Sequence, residues 1–68
     1  MTTAEKIYEN FIETYGADYR RADLEPFIEK EAGGSVVSWS GDYYSNNSAL
    51  FDDGSEIVWN YKNEIEVY

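Results

Sequence analysis

Residues 51–68 read FDDGSEIVWNYKNEIEVY, and this stretch contains the clearest structural pattern in the chain. Ile57, Trp59 and Tyr61 alternate with other residues, and Ile65 and Val67 do the same further along. A period of two is typical of half-buried β-strands. The pattern predicts two antiparallel strands that have one apolar face and one acidic face.

Turn residues precede both predicted strands. Asp53-Gly54 stands before the first strand, and Lys62-Asn63 stands before the second. Gly and Asn accept the positive φ that tight hairpin turns need. We expect the rest of the chain to cover the apolar face of these strands.

The N-terminal segment predicts an amphipathic helix from Thr2 to Tyr15. Thr2 and Glu5 have the spacing of a capping box, and Gly16 stands where a helix ends in a left-handed cap. Six residues fall on one helical face, which predicts the buried stripe Ala4, Ile7, Tyr8, Phe11, Ile12 and Tyr15.

A second, shorter helix is predicted from Leu24 to about Ala32. Asp23 has the character of an N-cap, Pro26 lies in the first turn, and Gly33-Gly34 would end the helix. Between the helices, residues 17–22 are expected to form a connector. Three residues of the second helix should be buried, with Ala32 as a fourth candidate: Leu24, Phe27 and Ile28.

The middle of the chain predicts further strands. Ser35–Ser40 is rich in β-forming residues, Gly41 indicates a bulge or bend, and residues 42–45 could continue the strand. Asn46-Asn47 predicts a turn, and Ser48–Phe51 predicts the returning strand. The expected fold is α+β, a single domain over residues 1–68. Two N-terminal helices precede a three- to four-stranded antiparallel meander and pack on one of its faces.

Composition argues against catalysis. The chain has no His and no Cys, which excludes the usual zinc sites, Ser-His and Cys-His nucleophile pairs and imidazole catalysis. Paired carboxylates could act as acid and base, but 68 residues can hardly enclose the cleft that such chemistry needs. Residues 52–56 lack the ligand spacing of a calcium loop. We expect a non-enzymatic protein without metal or cofactor.

The N-terminal residues lack the features of a signal peptide, and no apolar run approaches the length of a membrane span. We expect a complete, soluble, cytoplasmic protein, more readily a monomer than a dimer. A free edge strand at Ser35–Ser40 or at Glu64–Tyr68 could pair with a second copy, although Glu64 and Glu66 make the latter a poor template.

Charge is the strongest functional clue. Fourteen acidic residues oppose five basic ones, giving a net charge of −9. Such a surface repels nucleic acid and attracts basic proteins whose clefts hold phosphates, although the charge could also serve only solubility. Arg20 and Arg21 are expected to pair with nearby carboxylates. Nine residues are candidate acidic contacts: Glu5, Glu9 and Glu13, rising about 6 Å per step along the first helix, then Asp42, Asp52, Asp53, Glu56, Glu64 and Glu66.

Aromatic residues supply a second set of candidate contacts. Tyr43, Tyr44 and Tyr68 stand beside acidic residues, and Tyr offers a large, rigid contact area whose hydroxyl group tolerates water. Trp39 and Trp59 are interpreted as core residues. The alternative for either Trp is an exposed anchor at a protein interface.

The acid row Glu5, Glu9 and Glu13 and the acid-Tyr cluster Asp42-Tyr43-Tyr44 resemble the style of DNA-mimic proteins of phages and mobile elements, including many anti-CRISPR proteins. The resemblance covers the whole chain as composition and spacing, without an alignable motif. It implies an inhibitor that occupies the DNA-binding cleft of a CRISPR effector, at the site that reads the PAM. Arg20 and Arg21 depart from a uniformly acidic surface.

A second function stays open on the residues alone. The chain could be a small structural or regulatory interaction module, antitoxin-like in kind, that binds through an aromatic patch while the acids only solvate it. This alternative differs from DNA mimicry in predicting binding that salt does not weaken.

Overall fold

The computed structural model describes residues 1–41 and 46–68. Two helices precede a four-stranded sheet, which confirms the predicted α+β class. The elements are α1 (Thr3–Tyr15), a 3-10 segment (Gly16–Arg21), α2 (Leu24–Ala32), a 3-10 turn (Gly33–Ser35), β1 (Val36–Ser40), β2 (Asn47–Phe51), β3 (Glu56–Trp59) and β4 (Ile65–Val67).

The sheet is an antiparallel meander in the order β1-β2-β3-β4, so β1 and β4 form its two edges. Cross-strand partners share a face of the sheet. One row, on the face that the helices cover, contains Trp39, Ala49, Ile57 and Val67. The neighbouring row on the opposite face, here called the outer face, contains Ser40, Ser48, Val58 and Glu66.

The core lies between the helices and the inner face of the sheet. α1 contributes Ala4, Ile7 and Phe11, as its periodicity predicted, while Tyr8 and Tyr15 at the margins of the stripe stay 36% and 40% exposed. From the other elements come Leu24, Phe27, Ile28, Ala49, Phe51, Ile57 and Trp59. Burial of these large side chains allows a chain of 68 residues to fold without disulfides.

Both ends of α1 are fixed as predicted. The Thr2 side chain accepts a hydrogen bond from the N–H of Glu5, the Glu5 carboxylate accepts one from the N–H of Thr2, and Gly16 has a φ of 56°. α2 has the predicted bounds, Leu24–Ala32, and differs from the prediction only in how its two ends are capped. Asp23 occupies the N-cap position but makes no capping hydrogen bond within the described residues, and Gly33 has a helical φ of −56° that continues into the 3-10 turn.

Two details of the strand prediction are wrong. Tyr61 lies beyond β3 in a turn and is 66% exposed, because the Asn60 side chain accepts hydrogen bonds from the N–H groups of Lys62 and Glu64 and closes the turn there. Asn47 is not a turn residue, since it pairs with Trp59.

Gly41 interrupts the chain directly after β1, as predicted, and β1 also contains an irregularity that was not predicted. The register shifts between Val36 and Ser38, whereas Gly41 has a φ of 107° beyond the end of the strand. Gly41 is required there for a steric reason, because a Cβ atom at this position would clash with the carbonyl oxygen of Asn46. The predicted continuation over residues 42–45 lies outside the described residues.

Candidate protein-binding surfaces

The first surface lies where α1 runs alongside β4. Glu5, Tyr8 and Glu9 of α1 face Ile65 and Val67 of β4 across a shallow groove of about 290 Å³. The two carboxylates are exposed, and the groove floor is apolar. Lys and Arg side chains combine an apolar stem with a charged head. This groove therefore has the chemistry to accept basic side chains from another protein.

The outer face of the sheet adds carboxylates at the same edge. Glu64 directly precedes β4, and Glu66 is its middle residue, opposite Val58. Glu56 joins them, because its backbone exchanges two hydrogen bonds with Tyr68. We call the surface formed by Glu5, Glu9, Glu56, Glu64 and Glu66 the acidic edge. Its members are separated by up to sixty residues in sequence, and the antiparallel topology and the packing of α1 bring them to β4.

On the sheet side of the acidic edge, two carboxylates accept hydrogen bonds from neighbouring side chains. Glu64 accepts a hydrogen bond of 2.9 Å from the Asn60 side chain. Glu66 accepts a short hydrogen bond from the Tyr68 hydroxyl, and this bond together with the negative charge of Glu66 raises the pKa of Tyr68. Ordered carboxylates lose less side-chain entropy when a partner binds.

Other predicted acidic contacts have roles inside the fold. The Asp53 carboxylate accepts hydrogen bonds from the N–H of Thr3, at 2.8 Å, and from the N–H and hydroxyl of Ser55, and these bonds hold its pKa far below the usual range. The Glu5 carboxylate serves the capping box, which also lowers its pKa. Asp53 therefore stabilises the α1 N-terminus, while Glu5 serves both the fold and the acidic edge.

The remaining candidates are dispersed. Glu13 is exposed one helical turn beyond Glu9, and Asp52 is exposed in the β2–β3 turn, where its N–H donates to the carbonyl oxygen of Ser35 at 2.8 Å. Tyr68 is 66% exposed beside the acidic edge. The predicted contacts Asp42, Tyr43 and Tyr44 lie outside the described residues. Arg20 is exposed and lies over the ring of Tyr19, 5.4 Å from its centroid.

A second surface was not predicted from sequence. A groove of about 650 Å³ separates the N-terminus of α2 from one end of the sheet, and its lining includes Asp23, Glu25, Trp59 and Tyr61. Trp39 borders a smaller adjoining cavity that Glu25 and Trp59 also line. We call this the Trp groove. Trp59 is a core residue as predicted, but Trp39 is 40% exposed and so fits the alternative of an interface anchor.

Two further findings concern the described ranges 1–41 and 46–68. They contain no group of three or more acidic side chains arranged to hold a metal ion. None of the helices found there has the length and apolar character needed to cross a bilayer.

Comparison of the chain with protein-family models, with curated proteins and with solved structures found no match.

Proposed function

We propose that this protein is a non-enzymatic inhibitor that binds the basic, DNA-binding cleft of another protein through its acidic edge. The observation that supports the proposal is that carboxylates lie on both sides of β4, with Glu5 and Glu9 of α1 beside one face and Glu64 and Glu66 on the other. A basic cleft that normally neutralises phosphates would find carboxylates there instead.

The spacing of the acidic edge suits this role. Residues four apart on a helix rise about 6 Å, and residues two apart on a strand rise about 7 Å. Glu5 and Glu9 repeat at the first interval, and Glu64 and Glu66 at the second. Two rows of regularly spaced negative charge on either side of β4 give a basic cleft contacts on both of its walls.

The partner class in this proposal is a CRISPR effector, bound at the site that reads the PAM. Support for it comes from the acid row of α1 and the net charge of −9, the features shared in style with DNA-mimic inhibitors. An inhibitor of this class, encoded by a phage or mobile element, acts in the cytoplasm of the host cell.

A pull-down tests the proposal. The tagged protein is presented to purified CRISPR effectors and to other DNA-binding enzymes, at low and high salt and with competing PAM-containing duplex. We expect capture of a CRISPR effector that both high salt and the duplex abolish, because all three compete for the same basic groups. Capture that survives salt and duplex would contradict mimicry, and capture confined to other enzymes would contradict the partner class.

The exposed Trp39 favours a second candidate, the aromatic interaction module. In this case a partner would bind at the Trp groove, where Trp39, Trp59 and Tyr61 supply aromatic area. The same pull-down distinguishes the two functions. Capture by the module survives high salt and is lost when Trp39 is changed to Ala, whereas capture by the acidic edge is lost in high salt and retained in the Trp39→Ala protein.

A further inference from the structure

The β1 edge, residues Val36–Ser40, is unlike the rest of this acidic protein. Residues 32–51 include both strands of the first hairpin and contain a single charged residue, Asp42. All the other charged residues of the chain lie in 1–31 and 52–68. The opposite edge strand, β4, contains Glu66 and directly follows Glu64. Charged side chains on an edge strand prevent pairing with another sheet, and β1 has none.

In β1, Trp39 directs its backbone N–H and C=O away from the sheet. The N–H of Asp52 donates to the carbonyl oxygen of Ser35, so alternate residues of β2, Leu50 and Ser48, turn their backbone groups toward β1. Their partners in β1 are Ser38 and Ser40. By the same alternation, the N–H and C=O of Trp39 point outward along the free edge.

Two apolar side chains of β1 are also exposed, and a strand added at this edge could cover them. Val37 is 61% exposed and Trp39 is 40% exposed. Both belong to the edge strand, and Trp39 stands in the row of the inner face that continues through Ala49 and Ile57. An added strand beside β1 would cover apolar surface as well as satisfy the backbone groups.

We propose that two copies of this chain associate through antiparallel pairing of their β1 edges, which joins the two sheets into one of eight strands. A two-fold axis at Trp39 lets the two Trp39 residues exchange both backbone hydrogen bonds and places their indole rings side by side. The proposal replaces the monomer expected from sequence.

The distribution of charge allows a second copy to occupy this edge, although both copies are acidic. Strands lie about 4.8 Å apart, so the β3 strands of the two copies, with their Glu56 residues, would be about 24 Å apart. That is about three Debye lengths at 0.15 M salt. Among the described residues, two carboxylates lie closer to the β1 edge than Glu56 does. Glu25 borders the cavity at Trp39, and the N–H of Asp52 donates to the carbonyl oxygen of Ser35. A highly basic segment would instead be drawn to the acidic edge on the far side of the sheet.

The dimer should be weak and should strengthen with salt. Pairing of two short edges buries less than the roughly 1,600 Å² of a standard interface. Salt screens the repulsion between two chains of net charge −9 without weakening a backbone ladder. Salt therefore affects self-association and the proposed partner binding in opposite directions, and the two can be tested independently.

Sedimentation velocity of the full chain tests the proposal. Between about 5 and 500 µM protein, we expect the mass to rise from the 7.9 kDa of the monomer toward twice that value. The rise should occur at lower concentration in 0.5 M salt than in 0.05 M salt. A mass that stays at 7.9 kDa throughout would overturn the proposal, as would growth beyond a dimer, because a two-fold interface closes at two copies.

Two Lys variants locate the interface. Val37→Lys places a charge on the β1 edge, and Tyr68→Lys places the same charge beside β4, in each case at a side chain that is more than 60% exposed. Circular dichroism is the control that checks whether both variants fold. We expect the Val37→Lys protein to dimerise at least about tenfold more weakly and the Tyr68→Lys protein to dimerise like the wild type. Equal dimerisation of all three proteins, or loss only in Tyr68→Lys, would overturn pairing through β1.

Discussion

Single polar side chains hold this small fold together at the junctions between its elements. Asn63 is 8% exposed, has a φ of 56°, and donates from its side-chain nitrogen to the carbonyl oxygens of Tyr19, at 2.9 Å, and Ala22, at 2.6 Å. It thereby fastens the β3–β4 turn to the 3-10 segment between the helices. The sequence predicted the turn at Asn63 but not these bonds, which join residues more than forty positions apart.

Asn63→Ala should destabilise the protein by about 2–3 kcal/mol, because it leaves two carbonyl groups unpaired and forces Ala into a positive φ. Urea unfolding measures the loss. The exposed Asn10→Ala is the control and should change the unfolding free energy by less than about 0.5 kcal/mol. Equal stability of the two variants would show that the Asn63 bonds contribute nothing.

Asp53 makes stability depend on pH. Its hydrogen bonds to Ser55 and Thr3 lower its pKa in the folded protein from the ordinary value of 3.8, so the folded state favours the carboxylate. The stabilisation is present at pH values well above the unfolded pKa of 3.8 and is lost as the pH falls through that value toward the lower folded pKa.

We expect Asp53→Asn to flatten the acid limb of the stability curve. Unfolding free energy measured from pH 6 down to pH 2 should fall less steeply in this variant than in the wild type. Asp52→Asn, a change at the exposed neighbour in the same turn, is the control and should keep the wild-type slope. Parallel curves for Asp53→Asn and the wild type would contradict the role assigned to Asp53.

At the scale of elements, periodicity predicted most of the fold. The stripe of α1 and the alternation of Ile57 and Trp59 each report local geometry that burial then reinforces. Errors occurred where long-range contacts decide the boundary. Asn47 is a strand residue because it pairs with Trp59 of β3. Tyr61 is a turn residue because the side-chain oxygen of Asn60 accepts a hydrogen bond from the N–H of Lys62.

The contact between α1 and α2 is an aromatic cluster. The ring centroids of Phe11 and Phe27 are 5.3 Å apart in an edge-to-face arrangement, and Tyr15 lies 5.1 Å from Phe11 and 6.1 Å from Phe27. Such pairs add about 0.5–1.5 kcal/mol to the free energy of burial.

Phe27→Ala should cost about 3–4 kcal/mol, because it opens a cavity and removes both aromatic pairs. A domain of this size has only several kcal/mol of stability, so this variant could unfold. Phe27→Leu, expected to cost about 1–1.5 kcal/mol, keeps the test measurable by urea unfolding. A loss below 0.5 kcal/mol for Phe27→Ala would contradict a core role for the cluster.

At the scale of the whole molecule, charge is segregated. The acidic edge surrounds β4, while the β1 edge on the opposite side of the sheet is free of charged side chains. Sequence predicted the acidic residues and their spacing along α1. It could not predict which of them lie beside β4, because the position of Glu9 next to this strand depends on the packing of α1 against β4.

The most direct test of the acidic edge compares two triple variants in binding to the captured CRISPR effector. Glu9, Glu64 and Glu66 are changed to Lys in the first, and Asp18, Glu29 and Glu31, which are exposed on the 3-10 segment and α2, are changed to Lys in the control. Both have the same net charge. We predict that the first variant binds at least about 100-fold more weakly than the control at 0.15 M salt. Equal affinities would contradict the account, since net charge and not the acidic edge would then determine binding.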